Sequence, residues 1–173
     1  SGILLEEYDE SQKICVGPVK KIFLGSEIGT TEGPHLYHIG DYYYLIVAEG
    51  GTELGHAVTI ARSKQIDGPY EIDPENPMLT SRDKPSAMLQ RAGHASIVQA
   101  QNGEWFMVHL CGRPIGPDRG YCVLGRETAL QSICFDEDGW IRLTDGGNEP
   151  FESVKVPFKA SMPKPIQKRY TFA

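Results

Sequence analysis

The sequence predicts an all-β fold made of about two and a half β-propeller blades, each a four-stranded antiparallel sheet. The first reason is an internal repeat: two stretches with the same order of strands and turns begin 62 residues apart, at Glu32 and at His94. The second is composition, because 19 glycines and 12 prolines suit a protein of short strands and turns. The third is that no apolar stripe with helical spacing runs for a useful length. Four-stranded units that repeat in this way are typical of propellers.

The segment before the repeat predicts part of a preceding blade. Residues 2–8 form one predicted strand, residues 9–13 a polar turn, and residues 14–23 a second strand that Gly17-Pro18 interrupts. We expect these to be the outer two strands of a blade whose inner two strands are missing from the chain.

Each copy of the repeat predicts four strands in one order. The predicted strands of the first copy start at Glu32 and then cover residues 42–47, 58–62 and 68–72. Those of the second copy start at His94 and then cover residues 104–109, 128–132 and 138–143. A polar turn follows the first strand of each copy, and a glycine-rich excursion follows the aromatic second strand.

The pattern of strands dissolves after residue 143. Scattered prolines in polar sequence predict a boundary between a partial propeller domain, residues 1–147, and an extended linker or arm, residues 148–173. Propellers close with about four to eight blades, so we expect this chain to be part of a longer protein. An uncovered blade edge would also promote self-association of the chain.

Charge and cysteine content narrow the function classes. A net charge of −6 argues against nucleic acids and anionic membranes as partners, because both select basic patches. No signal peptide or membrane-spanning apolar run is present. The cysteines lack metal-binding spacing; Cys15 and Cys134, on predicted strands, are expected to be buried free thiols. Cys111 and Cys122 flank a loop and could approach each other, but free thiols, and with them a reduced cytoplasmic protein, are favoured.

Glu32 and His94 are the first candidates for chemistry. The repeat places both at the start of the innermost strand of a blade, which faces the central channel of a propeller. A carboxyl group in a narrow, partly desolvated channel suits a general acid, although a turn-capping carboxylate is the plain alternative. His94 could hold a metal, a water or a substrate, or it could be a core histidine bonded to a backbone carbonyl. A hard cation such as calcium would need oxygen ligands in addition.

Arg126 and His56 come just before the third strand of their respective copies. A guanidinium at Arg126 could bind sugar hydroxyls or a carboxylate, and an ion pair with Glu127 is the alternative. His56 holds a similar position one blade earlier, so the same two interpretations apply to it.

Loops supply the remaining candidates. Arg113 and Asp118 lie in the long 112–123 loop, where specificity residues could sit, and Thr52 ends the Glu-Gly-Gly-Thr turn. A group of aromatic residues could form a sugar-stacking platform, but their alternation on strands favours blade packing. This group consists of Tyr42, Tyr43, Tyr44, Trp105 and Phe106.

Several motifs strongly resemble the β-xylosidase group of glycoside hydrolase family 43. In the first copy they are T-E-G-P-H-L-Y, A-E-G-G-T, H-A-V-T-x-A-R-S and G-P-Y-E. In the second they are A-G-H-A-S-I-V, N-G-E-W-F-x-V-H-L-C-G-R-P and L-G-R-E-T-A-L. The likeness covers residues from about Ile3 to Gly147, in the order and near the spacing of the family.

The resemblance implies a five-bladed propeller, often followed by a β-sandwich toward which residues 148–173 would lead. It implies inverting hydrolysis of xylosides or arabinofuranosides, such as a xylo-oligosaccharide or an arabinose-substituted substrate. Glu32 then matches the general acid, His94 the central histidine that supports calcium or water, and Arg126 and Thr52 substrate-binding positions. We add His56 and Arg113 as further expected substrate contacts.

One departure from the family pattern is large. The aspartates that serve the family as general base and as modulator of the acid belong to earlier blades and have no counterpart here. We therefore expect residues 1–173 alone to be inactive. A non-catalytic carbohydrate-binding or interaction module is the first alternative, and another propeller glycosidase such as an arabinanase is the second.

Overall fold

The computed structural model describes residues 2–116 and 120–157 and contains strands but no helix in that part of the chain. The strands form three antiparallel sheets. A hairpin consists of β1 (Ile3–Asp9) and β2 (Ile14–Phe23). The first blade consists of β3 (Glu32–Ile39), β4 (Tyr42–Glu49), β5 (Ala57–Ser63), β6 (Glu71–Ile72) and β7 (Leu79–Thr80). The second blade consists of β8 (Gln90–Gln99), β9 (Trp105–Gly112), β10 (Glu127–Phe135) and β11 (Ile141–Leu143).

The expectation that Gly17-Pro18 interrupts the second strand was wrong, because β2 continues through both residues. The ladder absorbs the pair in an irregularity: Leu5 faces Lys20, whereas Glu7 faces Val16. A proline can lie in a strand where its missing N–H leaves no ladder bond unmade, as at a bulge. The turn is fixed by Asp9, whose carboxylate accepts hydrogen bonds from the backbone N–H groups of Ser11 (2.8 Å) and Gln12 (3.0 Å).

Both blades have the predicted meander order, which confirms the propeller-blade interpretation. The fourth strand of the first blade is only two residues long, and β8 begins four residues before the predicted start at His94. The repeat does not predict the short strand β7, which pairs with the first two residues of β5, Ala57 and Val58.

The core lies between the sheets, and β4 is buried on both faces. Leu45 and Val47 pack against Ile3 and Phe23 of the hairpin. The alternate residues of β4 pack toward the second blade, in a cluster with Ala95, Ile97, Met107, Ile133 and Ile141. This two-sided burial explains why β4 is a continuous apolar run. The aromatic residues follow the packing interpretation: Tyr44 and Phe106 are 3% and 4% exposed.

Two arginines join the outer ends of the blades. Arg62 lies over the ring of Trp140, 3.8 Å from its centroid, and donates to the carbonyl of Asp138 at 2.6 Å. Arg142 of β11 forms a two-point ion pair with the fully buried carboxylate of Asp73. Buried ion pairs of this kind fix geometry, because either partner alone would be an uncompensated charge.

The start of the predicted arm is bound to the blades. The backbone N–H of Thr80 donates to the carbonyl of Asn148 at 2.8 Å. The Gln131 side chain both accepts from the N–H of Phe151 (2.9 Å) and donates to its carbonyl (3.1 Å). Residues 158–173 of the arm lie outside the described residues, so the domain boundary stays a prediction.

All four cysteines are free thiols. Cys111 is buried, but Cys15 is exposed and Cys134 half-buried, so the expectation that the last two are buried was wrong. For Cys15 the reason is that most residues of β2 are exposed to solvent. Within residues 2–116 and 120–157 there is no helix long and apolar enough to span a membrane.

Candidate functional site

The inner ends of the two blades correspond residue by residue, and the ladder register corrects the predicted equivalence by one position. Glu32 pairs with Ala48, three residues before the pair His35–Ile46. Gly93 pairs with Leu110, three residues before the pair Ser96–Val108. Glu32 therefore matches Gly93, and His94 matches Gly33. The backbone agrees, since φ is 57° at Gly33 and 54° at His94.

Two imidazole rings lie directly against two glycines at this end of the molecule. A Cβ atom on Gly33 would fall 2.6 Å from His94 Nε2, and one on Gly93 would fall 2.4 Å from His56 Cδ2. Both separations are too short for any side chain. The glycines thus let His94 and His56 reach the start of the inner strands.

His56 is the most buried of the candidates, with 1% of its surface exposed. Its Nδ1 lies 3.1 Å from the carbonyl oxygen of Arg91, which can only accept, so Nδ1 carries the proton. Burial lowers the pKa of His56, and the charges of Arg126 and His94 lower it further, against the raising effects of the Arg91 bond and Glu32. His56 is therefore neutral, and its buried Nε2 is an acceptor with no partner in the described residues.

The predicted residues come together from three separate segments. The His94 ring lies against Gly33, the neighbour of Glu32, and the His56 ring lies against Gly93, the neighbour of His94. Glu32, His94 and Arg126 all act on the pKa of His56. The register confirms that His56 and Arg126 are equivalent, since Glu49 faces Ala57 and Cys111 faces Glu127. His56 comes directly before Ala57, and Arg126 comes directly before Glu127.

Glu32 is exposed, not partly desolvated as the sequence suggested. It stands at the first position of β3, and no strand of the described residues covers that end. Its carboxylate is therefore open to solvent and to a ligand.

A cleft of about 580 Å³ is lined by Arg126 and by Arg91, whose carbonyl binds His56. Thr52 and Arg126, both predicted substrate contacts, line it together with Glu53, Arg91 and Tyr121. Arg126 is exposed and makes no ion pair within the described residues. Glu127, the partner proposed as its alternative, is bound instead by Arg113 at 2.6 Å. Arg113 is thereby engaged at the rim of the second blade.

Arg91 is a residue of the site that the sequence did not single out. It has a positive φ of 54°, its Nε lies 3.1 Å from Glu53, and its Nη1 lies 3.1 Å from Cys122 Sγ. It thus links the Glu53 turn of the first blade to the loop of the second while its carbonyl orients His56. All these partners are distant in sequence, so no local motif could have revealed them.

The metal ion and Asp118 stay predictions, as do the chemical roles of the other site residues. The described residues contain no group of three or more His, Cys, Asp or Glu side chains arranged to hold a metal ion. Calcium at His94 stays a prediction that requires oxygen ligands beyond those of this cluster. Asp118 lies outside the described residues.

Comparison with known proteins gives consistent matches. Residues 1–141 match the model of glycosyl hydrolases family 43. A beta-xylosidase of Bacillus subtilis is 50% identical over 172 residues, which are 95% of this chain and 31% of that protein. A non-reducing end alpha-L-arabinofuranosidase of Bacteroides ovatus is 39% identical over 168 residues, 96% of this chain and 31% of that protein.

Solved structures agree with these relatives. The crystal structure of xylan beta-1,4-xylosidase from Bacillus halodurans superposes with a TM-score of 0.83 at 53% identity, covering 93% of this chain and 32% of that one. The chain thus spans about a third of the length of the relatives that it matches.

Proposed function

The chain belongs to glycosyl hydrolases family 43, and on this basis we propose that it forms the acid-bearing part of an inverting glycosidase active site. The substrate class is a xyloside such as a xylo-oligosaccharide, with arabinofuranosides as a second substrate. The observation that carries the proposal is the convergence of Glu32, His94 and Arg126 around His56, with Arg126 lining an open cleft. Named relatives with xylosidase and arabinofuranosidase activity support the choice of substrate.

Glu32 acts as the general acid in this proposal. As the bond between the anomeric carbon and the leaving oxygen breaks, Glu32 gives its proton to that oxygen. A water attacks the anomeric carbon from the opposite face and loses its proton to a carboxylate general base. In inverting enzymes the two carboxyl groups stand roughly 6.5–9.5 Å apart. The base would come from outside residues 1–173, in the remaining blades of a five-bladed propeller.

The other residues bind the sugar. Arg126 and Thr52 line the cleft and offer donors to hydroxyl groups. The neutral His56 is buried and does not line the cleft, so we expect it to support the sugar site from behind, through its bond to the carbonyl of Arg91. Residues 148–173 would continue toward a further domain, and calcium beside His94 would be held largely by water.

The substitution Glu32→Gln tests the proposal in the longer protein that supplies the base. We expect the rate on xylobiose to fall by about 10²–10⁴-fold, the usual contribution of a general acid. A dinitrophenyl xyloside should be nearly unaffected, because its leaving group needs no proton. Glu27→Gln, which removes an exposed carboxylate five residues earlier, is the matched control.

The isolated chain provides the second arm. We expect no turnover of an aryl xyloside by residues 1–173 alone, since the base is missing. Turnover that Glu32→Gln abolishes would contradict this part of the proposal. If the longer protein is inactive as well and binds xylose equally with either residue, the carbohydrate-binding module is the better description.

A further inference from the structure

A second carboxylate, Glu49, lies behind the candidate site and is completely buried at the end of β4. It has no ion-pair partner within the described residues. A buried charge of this kind is costly unless hydrogen bonds compensate it. None of the interactions assigned to the proposed reaction uses Glu49, so its presence needs another reason.

Four hydrogen bonds compensate the charge of Glu49. Its Oε1 accepts from the backbone N–H of Ser26 at 2.8 Å and from Thr31 Oγ1 at 2.6 Å. Its Oε2 accepts from Ser26 Oγ and, at 2.7 Å, from Thr59 Oγ1. An ionised carboxylate only accepts, so all four groups serve it as donors. Such charge-assisted bonds are the strong class of protein hydrogen bonds.

Three of the four donors belong to one connection, the 24–31 loop between β2 and β3. The fourth donor, Thr59, lies in the centre of the first blade and is fully buried. Glu49 therefore ties the loop to the rigid sheet. The loop lies so close that a Cβ atom on Gly25 would fall 1.9 Å from Thr31 Oγ1 and 2.7 Å from Glu49 Oε1.

The last residue of this loop, Thr31, immediately precedes Glu32. We propose that Glu49 is a positioning residue for the general acid: by holding Thr31, it fixes the backbone from which Glu32 projects. The inference rests on the proposed function of Glu32. Because Glu32 itself is exposed and paired to β4 only through Ala48 before the irregularity in the ladder, its strand end needs such an anchor.

The second blade supports this role by contrast. Register places Cys111 where the first blade has Glu49, and Gly93 where it has Glu32. The second blade thus lacks both the acid and the buried carboxylate behind it. Its equivalent position is filled by a buried thiol, which packs as a small apolar group.

Two matched substitutions separate positioning from general stability. Thr31→Val and Thr59→Val each remove one hydroxyl donor from Glu49, on the loop side and on the sheet side. In the longer active protein, we expect Thr31→Val and Glu49→Gln to lower kcat on xylobiose by about ten-fold or more while a dinitrophenyl xyloside keeps its rate within about three-fold. Thr59→Val should lower both rates equally or neither.

Amide hydrogen exchange of residues 1–173 provides a readout without catalysis, should Glu49→Gln fail to fold. We expect Thr31→Val to accelerate exchange in residues 26–32 by about ten-fold and to leave β5 and β9 unchanged. Uniform acceleration over the whole chain, or none in the loop, would overturn the inference.

The Glu32→Gln variant distinguishes a failure of the general-acid assignment from a failure of the positioning role. If Glu32→Gln shows no dependence on the leaving group, the general-acid assignment fails, and the positioning role fails with it. If Glu32→Gln shows that dependence but Thr31→Val and Glu49→Gln lower both substrates in parallel, only the positioning role is wrong.

Discussion

The first and second blades share one ladder register and differ in side-chain chemistry at their inner ends. The four equivalent pairs, first blade then second, are Glu32 and Gly93, Gly33 and His94, Glu49 and Cys111, and His56 and Arg126. At each of these positions one blade has a charged residue or a histidine, and the other blade has a chemically different residue. The strands thus set the positions, and the residues at the loop ends are free to vary, as in other folds with sites on loops.

The comparison also shows how the blades cooperate. His94 of the second blade fills the space above Gly33 of the first, and His56 of the first fills the space above Gly93 of the second. Each ring needs a glycine in the neighbouring blade. The site is therefore a property of the interface and not of either repeat.

Breaking the outer contact between the blades should have the largest effect on stability. Arg142→Met would leave the buried carboxylate of Asp73 unpaired, and we expect a loss of roughly 3–5 kcal/mol in the free energy of unfolding. Urea denaturation measures it. Lys20→Met, which breaks the exposed pair with Asp67, should cost at most about 1 kcal/mol. Equal losses for the two variants would contradict the role of burial.

Adding a side chain at Gly33 of the first blade should lower the free energy of unfolding by somewhat less. Gly33→Ala would place a methyl group against the His94 ring and strain a positive φ of 57°. We expect a loss of about 2–4 kcal/mol, the sum of overpacking and strain. Gly40→Ala is the control, because Gly40 has φ of 58° and open space around it. The difference between the two unfolding free energies isolates the His94 contact.

The pH dependence of stability should sharpen the contrast at a fifth equivalent pair, Val47 and His109. Burial lowers the pKa of His109 to about 4 from its ordinary value of 6.5. Its Nε2 lies 3.1 Å from the Gln131 amide, which donates to it. Between these two pH values the unfolded chain binds more protons, so stability falls as the pH falls.

This histidine should contribute a slope of about 1.4 kcal/mol per pH unit in that window. The contribution is complete above pH 6.5 and is lost as the pH falls through about 4. His109→Gln removes this contribution. The free energy of unfolding, measured at several pH values, should therefore change less steeply with pH in the variant. Parallel slopes would show that His109 is not the titrating group. The pKa of the buried His56 is also lowered, so His56 adds a slope of the same sign, and it does so equally in the parent and the variant.

The smallest expected effect concerns Tyr44, whose equivalent in the second blade is Phe106. The Tyr44 hydroxyl donates to the carbonyl of Gly139 at 2.5 Å across the blade interface. Tyr44→Phe makes the blades alike and should cost about 1 kcal/mol, the usual value of one hydrogen bond. Phe106→Leu, which changes packing but no hydrogen bond, provides the comparison by thermal unfolding. A Tyr44→Phe variant as stable as the parent would remove this bond from the interface.

Much of the site could be predicted because the repeated order of strands and turns is visible in the local sequence pattern. Alternating apolar residues and glycine turns set the order of the blades and bring Glu32, His56, His94 and Arg126 to their inner ends. The one-residue error between Glu32 and His94 arose because the turn after the first strand is one residue longer in the second blade: Ile39 pairs with Tyr42, whereas Ala100 is bonded to Glu104. The two polar turns look alike in the sequence, and turn length within a loop carries no strong pattern.

The sequence by itself determined the all-β class, the repeat and the candidate acid, since these depend on local pattern and on motifs. Only the tertiary structure decided that Arg91 orients His56, that Glu49 ties down the loop before Glu32, and that Glu127 binds Arg113 instead of Arg126. These contacts join residues that are far apart in the chain. Their energies depend on burial and on distances between strands, which no short stretch of sequence encodes.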